Sequence, residues 1–323
     1  MLRILQSNRL NIGRWAFRLP KRVIRRLVQE NYYTARAYYH HQLHRLDNQY
    51  KYPPLLVHQM GKVGSSSVTQ SLKAAKIDRH IYHTHFLTSE LINRYEQQRK
   101  GYLGTPREGD LRHIWQYQHL RKLIERGLNG EKWKIVTLVR DPVARNLSDF
   151  FEHIEVMFSA GNQQKLKSIE YDYEIIIADN NFDELIELFF ERHNQDVPME
   201  FFDRELKGVF NIDVFSSDFP TDRGYKVYRE KEVDVLLIKV ENLNDCFTEA
   251  IKELLNIDGV SLVSVNVGGE KEYANIYQMV KESIRFPESY LDRMYSSEFA
   301  RHFYSEAEIE RFKLKWQSVG EKL

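Results

Sequence analysis

A single cysteine, Cys246, stands in 323 residues. That excludes an internal disulfide framework and any zinc site built from cysteines, and it leaves the thiol a packing role in a reducing compartment. No run reaches the about 18 apolar residues that a membrane-spanning helix needs, and arginines interrupt the apolar N-terminus too often for a secretory leader. Repeats and low-complexity tracts are absent too. Net charge is nearly nil, with 47 Lys and Arg against 46 Asp and Glu. The balance hides a segregation: residues 1–52 hold eleven Lys and Arg against Glu30 and Asp47, a surplus of +9 that leaves −8 for the rest. What remains is ordinary globular chain, 42% hydrophobic and 29% charged, long enough for one large α/β core or two smaller ones.

The chain is organised around residues 55–68. The apolar run Leu55-Leu56-Val57-His58, bounded by Pro53-Pro54, reads as a buried strand, and Val68 to Ala75 reads as a helix. Between them lies Gly61-Lys62-Val63-Gly64-Ser65-Ser66-Ser67. Glycines let the backbone approach an anion, the serines offer hydroxyls, and the helix N-terminus points free N–H groups outward, so a phosphate belongs there. In the nucleoside-triphosphatase loop the lysine follows the last glycine and a Ser or Thr behind it holds magnesium. Here Lys62 comes two residues before Gly64, and that reading fails.

A second strand-to-helix unit follows about 75 residues on. The β-branched run Ile135 to Val139 reads as a buried parallel strand, Arg140 ends it, Pro142 opens the next helix, and Ser148 falls two turns along. A strand-end guanidinium presents a planar fork suited to phosphate oxygens, although Arg140-Asp141 by itself also fits a structural ion pair.

The order Lys62-Val63-Gly64-Ser65-Ser66-Ser67 resembles the 5′-phosphosulfate loop of sulfotransferases that use 3′-phosphoadenosine-5′-phosphosulfate (PAPS), and Arg140 with Ser148 resembles their 3′-phosphate signature. The resemblance spans about residues 53–310, with strong motifs only at these two sites. It implies an α/β fold with a P-loop-type central parallel sheet flanked by helices over 53–323; residues 1–52, a basic helical extension, lie outside it. It also implies transfer of a sulfuryl group from PAPS to a hydroxyl, leaving 3′-phosphoadenosine 5′-phosphate (PAP), with no metal. Lys62 would neutralise the leaving phosphate, residues 63–67 would hold the 5′-phosphate, and Arg140 and Ser148 the 3′-phosphate. By family analogy the acceptor is a carbohydrate of a surface or capsular polysaccharide. Relatives that carry a membrane span set this chain apart as a cytoplasmic, bacterial-type member.

The segment 79–87 alternates and reads as the next strand, with His83 and His85 on one face. In the family this strand often delivers the acceptor base, and in one branch that base is a histidine. His85, nearer the strand's C-terminal end, is the first choice and His83 the second; structural histidines or a metal pair stay open, without a third ligand of matching spacing. Residues 88–109 are polar, carry Gly101, Gly104, Pro106 and Gly109, and read as a substrate-facing loop, with Glu108 a competing base. A helix from Asp110 to about Arg126 follows, then the Arg140 helix to about Phe158, an irregular stretch over 160–180, and helices near 182–192 and 199–207. The segments 208–215, 225–229 and 233–243 also look like the family; Glu241 reads as the start of a helix over 243–255. Lys271, in the glycine-containing stretch 265–271, is placed to reach the donor if that stretch closes over it as in the family, and in a plain turn otherwise.

From Lys21 to Leu46 apolar residues recur at helical spacing, broken near Asn31, beside Arg22, Arg25, Arg26 and Arg36. This arm fits an anionic membrane surface or an acidic polymer, and equally a helix docked on the main domain; nucleic acid is not expected, since no recognised motif accompanies the charge. Two other functions compete with sulfuryl transfer: a P-loop kinase or nucleotidase, which needs a magnesium carboxylate such as Asp141, and a non-catalytic nucleotide- or polysaccharide-binding protein.

Overall fold

The computed structural model describes residues 32–103, 108–153, 182–263 and 280–317. Outside them lie most of the basic arm, the 160–180 stretch and Lys271. The chain begins with helix α1 (Tyr32–Asp47), then β1 (Leu55–His58), α2 (Ser65–Ala74) and β2 (Ile81–Thr84). Two long helices, α3 (Ser89–Leu103) and α4 (Glu108–Arg126), lead to β3 (Trp133–Val139) and α5 (Pro142–Glu152). Beyond α6 (Phe182–Arg192), α7 (Val197–Phe201) passes into a π-helical turn, Phe202–Lys207. A hairpin of β4 (Tyr225–Arg229) and β5 (Val233–Lys239) feeds α8 (Leu243–Leu255), and α9 (Glu288–Tyr295), α10 (Glu298–Phe303) and α11 (Glu306–Trp316) close the chain.

The five strands form one sheet in the order β2-β1-β3-β5-β4. Every residue of β1 and β5 is buried, and both are apolar on both faces apart from His58, Asp234 and Lys239. Pairing is parallel from β2 through β5, in line with the expected central parallel sheet, whereas β4 runs antiparallel to β5 at the edge. The reason is length: three residues separate β4 from β5, and a parallel crossover needs a dozen or more. The chain reverses its direction across the sheet between β1 and β3, the place where open α/β sheets bind ligands beyond their strand ends. Cys246 is buried on α8, as its expected packing role requires.

The expected loop over 88–109 is instead helix α3, described to Leu103. Its one glycine, Gly101, falls near the C-terminal end, and Glu, Leu, Arg and Gln supply good helix formers before it. Polarity there marks exposure, not lack of structure. Helix α3 packs along α4, burying Ile92 and Glu96, and Gln118 donates to Glu96 at 2.9 Å. The described end of the N-terminal arm, α1, also docks: Ala35 and Leu43 join the core, while Asp47 accepts from Tyr82 at 2.7 Å and lies 2.9 and 2.7 Å from His80 and His119.

Candidate active site

A cavity of about 1010 Å³ opens beyond the C-terminal ends of β1, β2 and β3. Lys62, Gly64, Ser65, Ser66, Ser67, His83, His85, Arg140 and Ser148 all line it. Val63 does not: its side chain is fully buried, and only its backbone belongs to the loop. Lys271 and the rest of its segment lie outside the described residues.

The loop is shaped by two left-handed residues, Lys62 (φ 69°) and Gly64 (φ 76°), with Val63 plugged into the core between them. Glycine takes this conformation freely, whereas in lysine it costs roughly 1–2 kcal/mol that the surroundings must offset. The Lys62 carbonyl accepts from Arg140 Nη1 at 2.8 Å, and the neighbouring Gly61 carbonyl accepts from Arg145 Nε at 3.1 Å. Two guanidiniums, Arg140 just past β3 and Arg145 on α5, therefore hold the loop after β1. Helix α2 then begins after Gly64 with no side-chain cap, and a helix N-terminus of this kind suits an anion. Lys62 Nζ lies 3.1 Å from Glu152 in a half-exposed ion pair, a contact cheap to exchange for a phosphate.

Arg145 and Asp149, one turn apart on α5, form a second layer that sequence reading missed. Arg145 is buried and sits 3.3 Å from Asp149, which also pairs with His193 at 3.0 Å. Burial by itself would raise the Asp149 pKa, but the bond from His193 and the Arg145 charge outweigh it and bring it down to about 2. Positions 145, 149 and 152 recur at helical spacing on the face that carries Ser148, and that period was the available signal.

His83 and His85 meet edge to face with ring centres 4.9 Å apart. Their nitrogens are engaged differently. Gln59 Nε2 donates to His83 Nε2 at 2.8 Å and Ser65 Oγ lies 2.9 Å from the same atom, so that lone pair is occupied. Burial, with His85 nearby, lowers the His83 pKa to about 4. His85 Nδ1 donates to the Gln59 carbonyl at 3.1 Å, which fixes the tautomer with Nε2 as the bare nitrogen. Burial lowers its pKa as well, the hydrogen bond to the Gln59 carbonyl pulling the other way.

The segment carrying His85 is pinned from the π-helical turn. Glu205 is fully buried and accepts from Leu87 N at 2.6 Å, Thr88 N at 3.2 Å and Thr88 Oγ1 at 2.9 Å. Burial still raises its pKa, against the pull of these donors. No sequence signal marked it, because its partners lie about 117 residues away.

Asp141, the magnesium carboxylate that a kinase reading requires, is otherwise engaged. It is buried and accepts from Tyr295 Oη at 2.8 Å, Trp316 Nε1 at 3.0 Å and Val143 N at 3.1 Å. It caps α5 and ties the C-terminal helices to the sheet, and it is not among the cavity-lining residues. Glu241 is likewise structural, accepting from the Asp141 N–H at 2.8 Å and from Tyr304 Oη at 3.2 Å.

Six Lys and Arg side chains line the cavity against two carboxylates, Asp149 and Glu152, so its field favours an anion. Among the described residues no helix is long and apolar enough to cross a membrane. A family described as "Putative capsular polysaccharide synthesis protein" matches residues 174–305, about two-fifths of the chain. That stretch contains Glu205, the β4–β5 hairpin and α8, but neither phosphate-site motif, and it supports a role in polysaccharide biosynthesis. No curated protein and no solved structure matches the chain.

Proposed function

We propose that this chain is a transferase moving a sulfuryl group from PAPS to a hydroxyl of a carbohydrate acceptor, on a surface or capsular polysaccharide. The observation that carries the reading is the bond from Arg140 Nη1 to the Lys62 carbonyl, which joins the two motifs, 78 residues apart, into one anion-facing surface. The residues fit such a donor: an uncapped helix start, a left-handed glycine and three serines on the cavity wall. When bound, PAPS supplies an activated sulfuryl group on a phosphate leaving group.

Each role follows from the chemistry of the residue. The N–H groups and hydroxyls of Ser65, Ser66 and Ser67 hold the 5′-phosphate, and Arg140 with Ser148 holds the 3′-phosphate. Lys62 exchanges Glu152 for the charge that grows on the leaving oxygen, and Arg145 keeps the loop in register through Gly61. His85 takes the acceptor proton on Nε2 while its Nδ1–H stays on the Gln59 carbonyl. Positioning and charge stabilisation do most of the work, and this reading needs no metal. The glycan acceptor rests on the family match over residues 174–305.

Calorimetric titration of the full chain with PAP and with ATP, each with and without Mg²⁺, tests the reading. PAP binding that ignores Mg²⁺ supports it. Binding of ATP that requires Mg²⁺ replaces it with a kinase or nucleotidase, and binding of neither nucleotide leaves a polysaccharide-binding protein.

A further inference from the structure

The cavity has a second wall, built from different elements and different chemistry. Phe86 follows His85 directly, stacks on Tyr95 with ring centres 4.6 Å apart and 26° between planes, and meets Tyr117 edge to face at 4.8 Å. Tyr117 is buried, so the stack is anchored in the core, whereas Tyr95 is 41% exposed. Helix α3 turns Leu91, Arg94, Tyr95 and Gln98 toward the cavity because they recur at intervals of three and four residues. Arg94 is paired with Glu90 at 2.7 Å, an exposed contact that contributes little and leaves its planar donors usable.

We infer that this wall is a sugar subsite, in which a pyranose ring of the acceptor stacks on Tyr95 while Arg94 and Gln98 bond its hydroxyls. The inference rests on the reading above and names the place of the acceptor. An amphipathic ring with one apolar C–H face and a rim of hydroxyls matches a rigid aromatic platform flanked by donors. The platform begins one residue from His85 and lines the same cavity, so a ring seated there places its hydroxyls in the space that His85 lines. The cavity volume, at the top of the roughly 300–1000 Å³ range of single-ligand sites, leaves room for two reactants.

The test is calorimetry of the full chain, saturated with PAP, against two probes: a hyaluronan octasaccharide and maltohexaose. Binding of at least one probe is expected, lowered about tenfold or more in Tyr95→Ala and retained in Tyr95→Phe, with PAP affinity unchanged in both variants. Tyr95 is exposed, so thermal melts of the variants should match wild type. Equal probe binding by Tyr95→Ala, or no binding of either probe by wild type, would overturn the subsite. Loss of PAP affinity in Tyr95→Ala would also overturn it, by assigning the platform to the nucleotide base. If wild type binds a probe through Tyr95 but does not bind PAP, the subsite stands and the donor reading fails.

Discussion

The two walls of the cavity are built by opposite means. The wall proposed to hold phosphate is local: a segment of seven residues after β1 and the first two turns of helix after β3, each with its chemistry in one short stretch. The wall beyond β2 is assembled at long range, from α3, α4 and a carboxylate delivered by the π-helical turn to Leu87 and Thr88. A π-turn inserts a residue into a helix, and such turns are frequent at functional sites. Here it places Glu205 under the segment that carries His85 and Phe86. Anion binding needs only exposed N–H groups and a cation, whereas a base must be held in one tautomer and one direction, and that takes support from distant parts of the chain.

The largest expected effect lies where the walls meet. Replacing His85 with alanine should lower kcat about a hundredfold to ten-thousandfold and leave PAP affinity near wild type. His83→Ala should cost less, because its Nε2 is already occupied by Gln59 and Ser65. Steady-state kinetics alongside calorimetry separates the two. Normal turnover in His85→Ala with turnover abolished in His83→Ala or Glu108→Ala would move the base to another residue while leaving the phosphate wall untouched.

Breaking the long-range support should cost stability before it costs donor binding. Glu205→Ala leaves the Leu87 and Thr88 N–H groups without their acceptor in a buried site, a loss of about 3–5 kcal/mol by denaturant unfolding. A change under 1 kcal/mol would mean that the segment is held by something else.

A smaller effect is expected with pH. Burial lowers the pKa of His58 to about 3 and of His83 to about 4, both below the ordinary 6.5. The folded chain therefore binds fewer protons than the unfolded one in this window. Stability should be full above pH 6.5 and should decline as pH falls toward 4. His83→Gln should flatten the upper part of that decline, measured as unfolding midpoints at pH 7 and pH 5. An unchanged slope would place the sensitivity elsewhere.

The same contrast accounts for what the sequence disclosed. Leu55 to Ser67 and Ile135 to Ser148 carry strand, turn and helix signals within one short window, so both units were legible, and the structure brings Lys62, Ser65, Ser66, Ser67, Arg140 and Ser148 to one cavity. Helix α3 was misread as a loop because Gly101, Gly104 and Pro106 outweighed a face that becomes visible only when Tyr95 and Gln98 are seen against Phe86. Antiparallel β4 was hidden by an apolar pattern that does not encode direction, although the three-residue link to β5 did. Arg145 and Asp149 were within reach, since they share the helical period of Ser148. Glu205 was not, because nothing adjacent to it in the chain states what it will bind.

The central claim is that Arg140 and the Lys62 loop form one donor site, and PAP affinity in a folded Arg140→Ala variant tests it most directly. Losing a charge-assisted contact of about 1.5–3 kcal/mol should weaken PAP binding about tenfold to a hundredfold, with Mg²⁺ making no difference. PAP affinity equal to wild type in the folded variant would contradict the claim.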